Sequence, residues 1–194
     1  MTHMARRSRG LMGLGLMGLD GSLGFSGLLR LAGSLATALT PALAAEPMTT
    51  GTATGLPIPR YVSLKPSDTP MREGPSKEHR IKWVFKREGL PVEITAEFEN
   101  WRRVRDVEGT EGWVYHSRLS SRRTALVAPW SKEPTLPLQA GDNDGSGVVA
   151  RLQPSVLATV EGCNGRWCRI SGEGYRGWMK QEQLWGVYPG EAVK

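Results

Sequence analysis

Cysteine and histidine are scarce in this chain of 194 residues, which contains only 2 Cys and 3 His. Both cysteines, Cys163 and Cys168, lie near the C-terminal end, whereas His79 and His116 lie in the middle of the sequence. A cysteine–histidine hydrolase needs its nucleophile and base within hydrogen-bond reach, and a structural zinc site needs about four ligands. We therefore expect no enzyme, no metal and no cofactor.

Outside its N-terminus the sequence also lacks a long helical pattern. Residues 1–45 predict a signal peptide, because three arginines precede a stretch rich in Leu, Gly, Met and Ala. The small residues of the expected cleavage region are Ala42, Ala44 and Ala45. Cleavage there indicates a periplasmic or otherwise exported protein that meets the membrane only during export. An uncleaved membrane anchor is the alternative.

The basic balance is mild once the N-terminus is set aside. The formal net charge is +6, and residues 1–44 account for +3 of it, which leaves +3 for residues 45–194. A balance of this size does not demand a nucleic-acid partner, although local basic patches remain compatible with it. We expect no nucleic acid to bind.

Tryptophan, in contrast, is abundant, and four of the seven tryptophans mark an internal repeat. The segments NWRRVRDVEGTEGWVYHSRLS at 100–120 and GRWCRISGEGYRGWMKQEQL at 165–184 share a first tryptophan, a Gly-Trp pair and a leucine six residues later. Agreement at an offset of 65 to 66 residues is typical of tandem repeats. The tryptophans that both copies keep are predicted core residues: Trp101, Trp113, Trp167 and Trp178.

Short alternating segments separated by Gly-, Pro- and Ser-rich turns predict an all-β fold of two small barrels. We expect a flexible linker over 46–57, a first barrel over 58–128, a connector over 129–134 and a second barrel over 135–188. Within the first barrel, residues 65–77 predict a long loop and residues 121–127 a last strand. Five or so short strands per unit close their apolar faces as barrels or sandwiches.

Nearly all of residues 55–188 resembles the bacterial SH3-type domain family, in its exported two-repeat form. The resemblance is carried by GLPIPRYVSLK at 55–65, REGP at 72–75, GLPV at 89–92, NWRRVRD at 100–106, GTEGWV at 109–114 and LSSRRT at 119–124, and in the second copy by CNGRWC at 163–168 and Gly177-Trp178. It implies two tandem SH3-like barrels that bind a peptide or protein partner of the cell envelope, including peptidoglycan, without catalysis. The alternatives are a structural or sensory module of an envelope complex without a small ligand, and an accessory of a cell-wall hydrolase.

Two sets of candidate site residues follow. Cys163 and Cys168 flank a hairpin turn, so their Cβ atoms face each other within disulfide reach if the four residues between them form the loop. A register that places them diagonally would leave two thiols. The candidate ligand groove consists of aromatic and basic residues of the first repeat. The plain alternatives are core packing for the aromatic residues and a solvated face for the arginines: Trp83, Phe85, Tyr115, Arg72 and Arg118.

Overall fold

The computed structural model describes residues 48–194, so the expected signal peptide with its cleavage region lies outside the described residues. This part of the chain consists of β-strands and turns, with two single 3-10 turns at His116–Arg118 and Gln181–Gln183. No helix among residues 48–194 is long and apolar enough to cross a membrane.

The described residues of the expected linker form an ordered N-terminal clasp, the ribbon of β1 (Thr49–Thr50) and β2 (Pro57–Ile58) with the loop between them. The prediction of a flexible segment was therefore wrong for this stretch. The loop folds over the carboxylate of Glu97, which accepts the backbone N–H groups of Ala53 and Thr54 at 3.0 and 2.9 Å. A Cβ on Gly51 would lie 2.5 Å from the Glu97 carboxylate, so only glycine fits there.

The first barrel is a seven-stranded antiparallel sheet in the order β5-β4-β8-β7-β6-β3-β9. Its strands are β3 (Arg60–Leu64), β4 (Thr69–Arg72), β5 (Ile81–Phe85), β6 (Pro91–Phe98), β7 (Trp101–Arg105), β8 (Glu111–Tyr115) and β9 (Leu119–Ser120). Strand β4 interrupts the loop expected over 65–77. It forms because Thr69 and Met71 alternate with half-buried neighbours and lie fully inside.

The second barrel repeats this order as β12-β11-β15-β14-β13-β10-β16, with β17 added against β13. Its strands are β10 (Thr124–Val127), β11 (Leu136–Gln139), β12 (Val148–Leu152), β13 (Leu157–Asn164), β14 (Trp167–Gly172), β15 (Tyr175–Lys180), β16 (Leu184–Trp185) and β17 (Ala192–Val193). Both copies shift register at the same place, after Ile94 in β6 and after Val160 in β13. The expected all-β fold of two tandem barrels is confirmed.

Strand β10 belongs to the second barrel, whereas the sequence predicted it in the first. Residues 121–127 were expected to end the first barrel, but β10 pairs with β13 and β16 and is the first strand of the second. The linking segment is therefore 121–123. The expected connector over 129–134 lies inside the second barrel, between β10 and β11.

Each barrel closes around its own apolar core. The first core contains Leu64, Met71, Phe85, Val92, Ile94, Val104 and Val114. The second contains, among others, Val127, Leu138, Leu152, Val160, Ile170, Met179 and Leu184. Phe85, expected in the ligand groove, is thus a core residue, because it ends β5 opposite the fully buried Thr69.

The two barrels link the same pair of neighbouring strands, β6–β7 in the first and β13–β14 in the second, by different chemistry. In the second barrel Cys163 lies directly opposite Cys168 and the two form a disulfide, as predicted. In the first barrel the equivalent opposed pair is Glu97 and Arg102, whose Oε1 and Nε atoms lie 3.5 Å apart. A terminal segment packs on each: the N-terminal clasp on Glu97, and β17 on Cys163 through its pairing with Val193.

The Glu97 carboxylate is held ionised inside the protein. Burial alone would raise its pKa, but hydrogen bonds from the Thr54 hydroxyl at 2.7 Å, from Arg60 at 2.7 Å and from the two clasp N–H groups outweigh burial and lower the pKa to about 2. The first barrel and its N-terminal clasp therefore share one buried charge network.

The C-terminal residues join the two barrels. The ring of Tyr61 packs edge-on against Trp185 and at a tilt against Tyr188, with centroids 5.3 and 4.7 Å apart. The Tyr188 hydroxyl donates to Glu93 Oε1 at 2.7 Å, and burial together with this carboxylate raises the pKa of Tyr188 above its ordinary value. Thr124 donates its hydroxyl to the Gly89 carbonyl oxygen at 2.7 Å in the same buried contact.

Candidate functional site

Trp113 lies on the outer face of the first barrel, not in its core. It stands on β8 directly between Arg72 of β4 and Arg103 of β7. Its neighbours Gly112 and Val114 are the inward residues of the strand, and a Cβ on Gly112 would lie 2.5 Å from the Met71 side chain. Strand alternation then turns Trp113 outward, where it is half-buried.

The second barrel shows the same arrangement. Trp178 stands between Gln139 and Arg169 and is half-buried, whereas the next residue, Met179, is fully buried. The expectation that Trp113 and Trp178 are core residues was therefore wrong. The other repeated tryptophans, Trp101 and Trp167, are buried at 8% and 4% exposure.

Trp113 forms part of an open groove of about 690 Å³, here called the Trp113 groove. Its lining comes from the β4–β5 hairpin, from β7 and from the turn into β8: Glu73, Lys82, Arg103, Gly109, Thr110, Glu111, Gly112 and Trp113. The turn is fixed by Asp106, whose Oδ1 accepts the N–H groups of Glu108 and Thr110 at 3.0 and 2.8 Å. One wall of the groove is thus preformed.

The charged side chains around Trp113 are held by ion pairs and hydrogen bonds. Arg103 forms an ion pair with Glu111, and Glu73 forms one with Arg80 at 2.8 Å. Lys82 Nζ donates to the backbone carbonyl of Glu111 at 3.0 Å, which places the ammonium group at the groove edge. A half-exposed indole among fixed charges can hold an apolar group and hydrogen-bond the polar groups beside it.

The structure does not bring the predicted groove residues together. Tyr115 packs edge-on against Trp101, with 5.3 Å between the ring centroids, and lies tilted against His116. Trp83 is 56% exposed on the edge strand β5, opposite Met71. Arg118 is exposed in the 3-10 turn after β8. Of the predicted set, only Arg72 lies beside the Trp113 groove.

Sequence reasoning missed Trp113 because both repeats keep it, which favoured a core assignment. The useful signal was the strand pattern around it. Gly112 and Val114 match Gly177 and Met179 in the second copy, so small or apolar residues flank the tryptophan in both. On an alternating strand, either the tryptophan or its two neighbours face the core. A glycine is favoured where the interior has no room for a side chain, so the glycine faces inward and the tryptophan faces outward.

The described residues show no arrangement typical of a metal site. No group of three or more His, Cys, Asp and Glu within residues 48–194 is placed to hold a metal ion. Cys163 and Cys168 are bonded to each other in the second barrel, whereas His79 and His116 belong to the first.

Two barrels of the same antiparallel topology, each with an outward tryptophan on its sixth strand, define a tandem SH3-like protein. A profile of the bacterial SH3 domain matches residues 65–121 and 132–186. The chain therefore belongs to the bacterial SH3 domain family. Domains of this family are binding modules for peptides or proteins.

Other comparisons add little. No curated protein matches the chain. Two solved structures with some similarity are NlpC2 and NlpC1 of Trichomonas vaginalis, each with 13% sequence identity and a TM-score of 0.29. The alignments cover 66% and 70% of this chain, which spans 48% of each of those chains. Similarities this low carry no functional argument.

Proposed function

We propose that the chain is an exported, non-catalytic binding module whose first barrel holds an extended cell-wall peptide in the Trp113 groove. The supporting observation is the placement of Trp113, half-buried in an open groove of about 690 Å³ with Arg72 and Arg103 on the neighbouring strands. SH3-type barrels bind extended peptides in shallow aromatic grooves. An indole of this exposure offers an apolar surface without being needed to fill the core.

Sedimentation with isolated peptidoglycan tests this function. The purified protein should sediment with peptidoglycan, and Trp113→Ala should weaken binding about tenfold, as truncation of a central aromatic contact does. Trp178→Ala is the matched control, because it removes the equivalent tryptophan of the second barrel. Circular dichroism should show that both variants stay folded. Equal sedimentation of both variants and the unaltered protein would exclude the Trp113 groove.

Export is the second part of the proposal and has its own test. The three arginines, the apolar stretch and the small residues at Ala42, Ala44 and Ala45 support a cleaved signal. N-terminal sequencing of the protein from its native host should begin near Ala45 or Glu46. An intact N-terminus on a cytoplasmic species would contradict export.

A structural or sensory module of an envelope complex, recognised by a protein partner, is the second candidate. It is favoured by the contact between the barrels, where Tyr61, Glu93 and Tyr188 fix one barrel against the other. A rigid tandem unit presents a fixed surface to a partner protein. Absence of peptidoglycan binding together with co-purification of an envelope protein would favour this function.

A further inference from the structure

The two acidic side chains of the Trp113 groove are already neutralised. Glu111 is paired with Arg103, and Glu73 is held by Arg80 through both Nε and Nη2, at 3.2 and 2.8 Å. Each acid therefore has its own arginine. Neither acid balances any further cation at the groove.

Two cations beside Trp113 have no carboxylate partner within residues 48–194. Lys82 Nζ donates to the Glu111 carbonyl oxygen at 3.0 Å, and Arg72 Nη1 donates to the His79 carbonyl oxygen at 2.6 Å. Within residues 48–194 neither side chain forms an ion pair with a carboxylate. A backbone carbonyl carries only a partial negative charge, so both side chains keep their full charge for a ligand beside Trp113.

The second barrel shows that the fold does not require these cations. The strand register gives Gln139 as the equivalent of Arg72, and Val149 as the equivalent of Lys82. Val149 is 54% exposed, and one of its Cγ atoms lies 2.9 Å from where a Cβ on Gly177 would stand. The same strands thus close equally well with an amide and an apolar side chain.

We propose that the Trp113 groove recognises a carboxylate of the bound peptide through Lys82 and Arg72, and that the first barrel alone does so. The inference rests on the proposed function and names its ligand chemistry. A guanidinium and an ammonium group form short charge-assisted hydrogen bonds with carboxylate oxygens. Lys82 lines the same groove as Trp113, and Arg72 lies opposite Trp113 in the strand register. The peptide chain would lie over Trp113 with its carboxylate toward β4 and β5.

Chemically altered peptidoglycan tests the ligand side. Carbodiimide coupling with ammonia converts its free carboxylates into amides, and acetylation of its amines is the matched treatment that leaves carboxylates intact. The unaltered protein should bind native and acetylated peptidoglycan alike. Its affinity for amidated material should fall about tenfold, the loss expected for two exposed charge-assisted contacts.

Exchange of residues between the barrels tests the protein side. Arg72→Gln combined with Lys82→Val installs the residues of the second barrel and should lower affinity for native peptidoglycan about tenfold. Arg87→Gln combined with Arg118→Gln is the matched control, because it removes the same charge from exposed positions of the same barrel. Unchanged thermal unfolding of both double variants excludes a folding defect.

Each outcome decides the inference. Equal binding to amidated and native peptidoglycan overturns it while leaving peptide binding in place. An equal loss in the control double variant, with binding abolished by moderate salt, overturns it in favour of unspecific attraction to an anionic polymer. Absence of binding to native peptidoglycan by the unaltered protein overturns the proposed function itself and the inference with it.

Discussion

The two barrels share one topology but differ at the position where each sheet is fastened. The second barrel has the disulfide Cys163–Cys168, and the first has the buried pair of Glu97 and Arg102. Both fastenings hold a terminal segment, the N-terminal clasp in one case and β17 in the other. The fold therefore accepts either a covalent or an ionic cross-strand link at this position.

The outer faces of the two barrels share a tryptophan but differ in the charged residues around it. Trp113 and Trp178 occupy equivalent places, but Arg72 and Lys82 have Gln139 and Val149 as counterparts. A tryptophan kept in both copies therefore does not by itself mark a ligand site. The charges around it distinguish the barrel that we expect to bind from the barrel that supports it.

The largest expected effect on stability comes from truncating equivalent core residues of the two barrels. Met71 and Leu138 hold equivalent, fully buried positions. Met71→Ala and Leu138→Ala should each lower the free energy of unfolding by about 3 kcal/mol, since each leaves a cavity in a small core. Because Tyr188 links the barrels, denaturant unfolding should remain a single transition in both variants. Two separate transitions would show that the barrels unfold independently.

The buried ion pair of Glu97 and Arg102 should stabilise the protein less in acid, unlike the disulfide. The pKa of Glu97 is lowered to about 2, so its stabilisation is complete above the unfolded-state value and is lost as the pH falls toward 2. Glu97→Gln should cost about 2 kcal/mol at neutral pH, because it removes hydrogen bonds to a charged group. It should also flatten the decline of the unfolding midpoint between pH 4.5 and 2. An unchanged decline would assign it to other carboxylates, such as Glu191, whose pKa is also lowered because bonds from Arg123 outweigh its burial.

The disulfide should stabilise the protein by a similar amount and be insensitive to acid. Replacing both Cys163 and Cys168 by serine opens a short loop, which should cost about 2 kcal/mol on the chain-entropy model. The loss should be the same at pH 7 and at pH 3, in contrast to Glu97→Gln. Thiol labelling of the unfolded, unreduced protein should find no reactive cysteine. Two reactive thiols in freshly isolated protein would contradict the link.

The smallest effect concerns Trp83. Its counterpart in the second barrel is Ala150, and its side chain is 56% exposed. Trp83→Ala should therefore change the free energy of unfolding by less than about 0.5 kcal/mol. It should also leave sedimentation with peptidoglycan unchanged, since Trp83 lies outside the Trp113 groove. A loss of binding would restore the aromatic groove that the sequence suggested.

Features carried by a local pattern were predictable from the sequence. The repeated hairpin gave the tandem all-β fold, and two cysteines on either side of its turn gave the disulfide. Strand β10 was not predictable in the same way. Its apolar residues lie between the two repeats, and nothing in their pattern tells which sheet they join.

The rest depended on contacts distant in sequence. The clasp consists of Thr and Gly residues with little to bury, and its order comes from Glu97, more than forty residues away. The outward position of Trp113 depends on the glycine beside it and on Met71 of another strand. Their presence in both repeats led to the assignment of the tryptophans of the Gly-Trp pairs to the core, but a large aromatic residue fits either face of a sheet.

The hydrogen bond from Tyr188 to Glu93 spans 95 residues and makes the first barrel depend on a segment that follows it in the sequence. Polypeptides are made from the N-terminus, so the first barrel can close as soon as residue 120 is available. Its Tyr61 ring, however, stays uncovered until residues 185–188 follow. A chain that ends before Val187 should lose protease resistance in the first barrel as well as in the second. Residues 185–188 thus protect the first barrel, whose own strands end at Ser120.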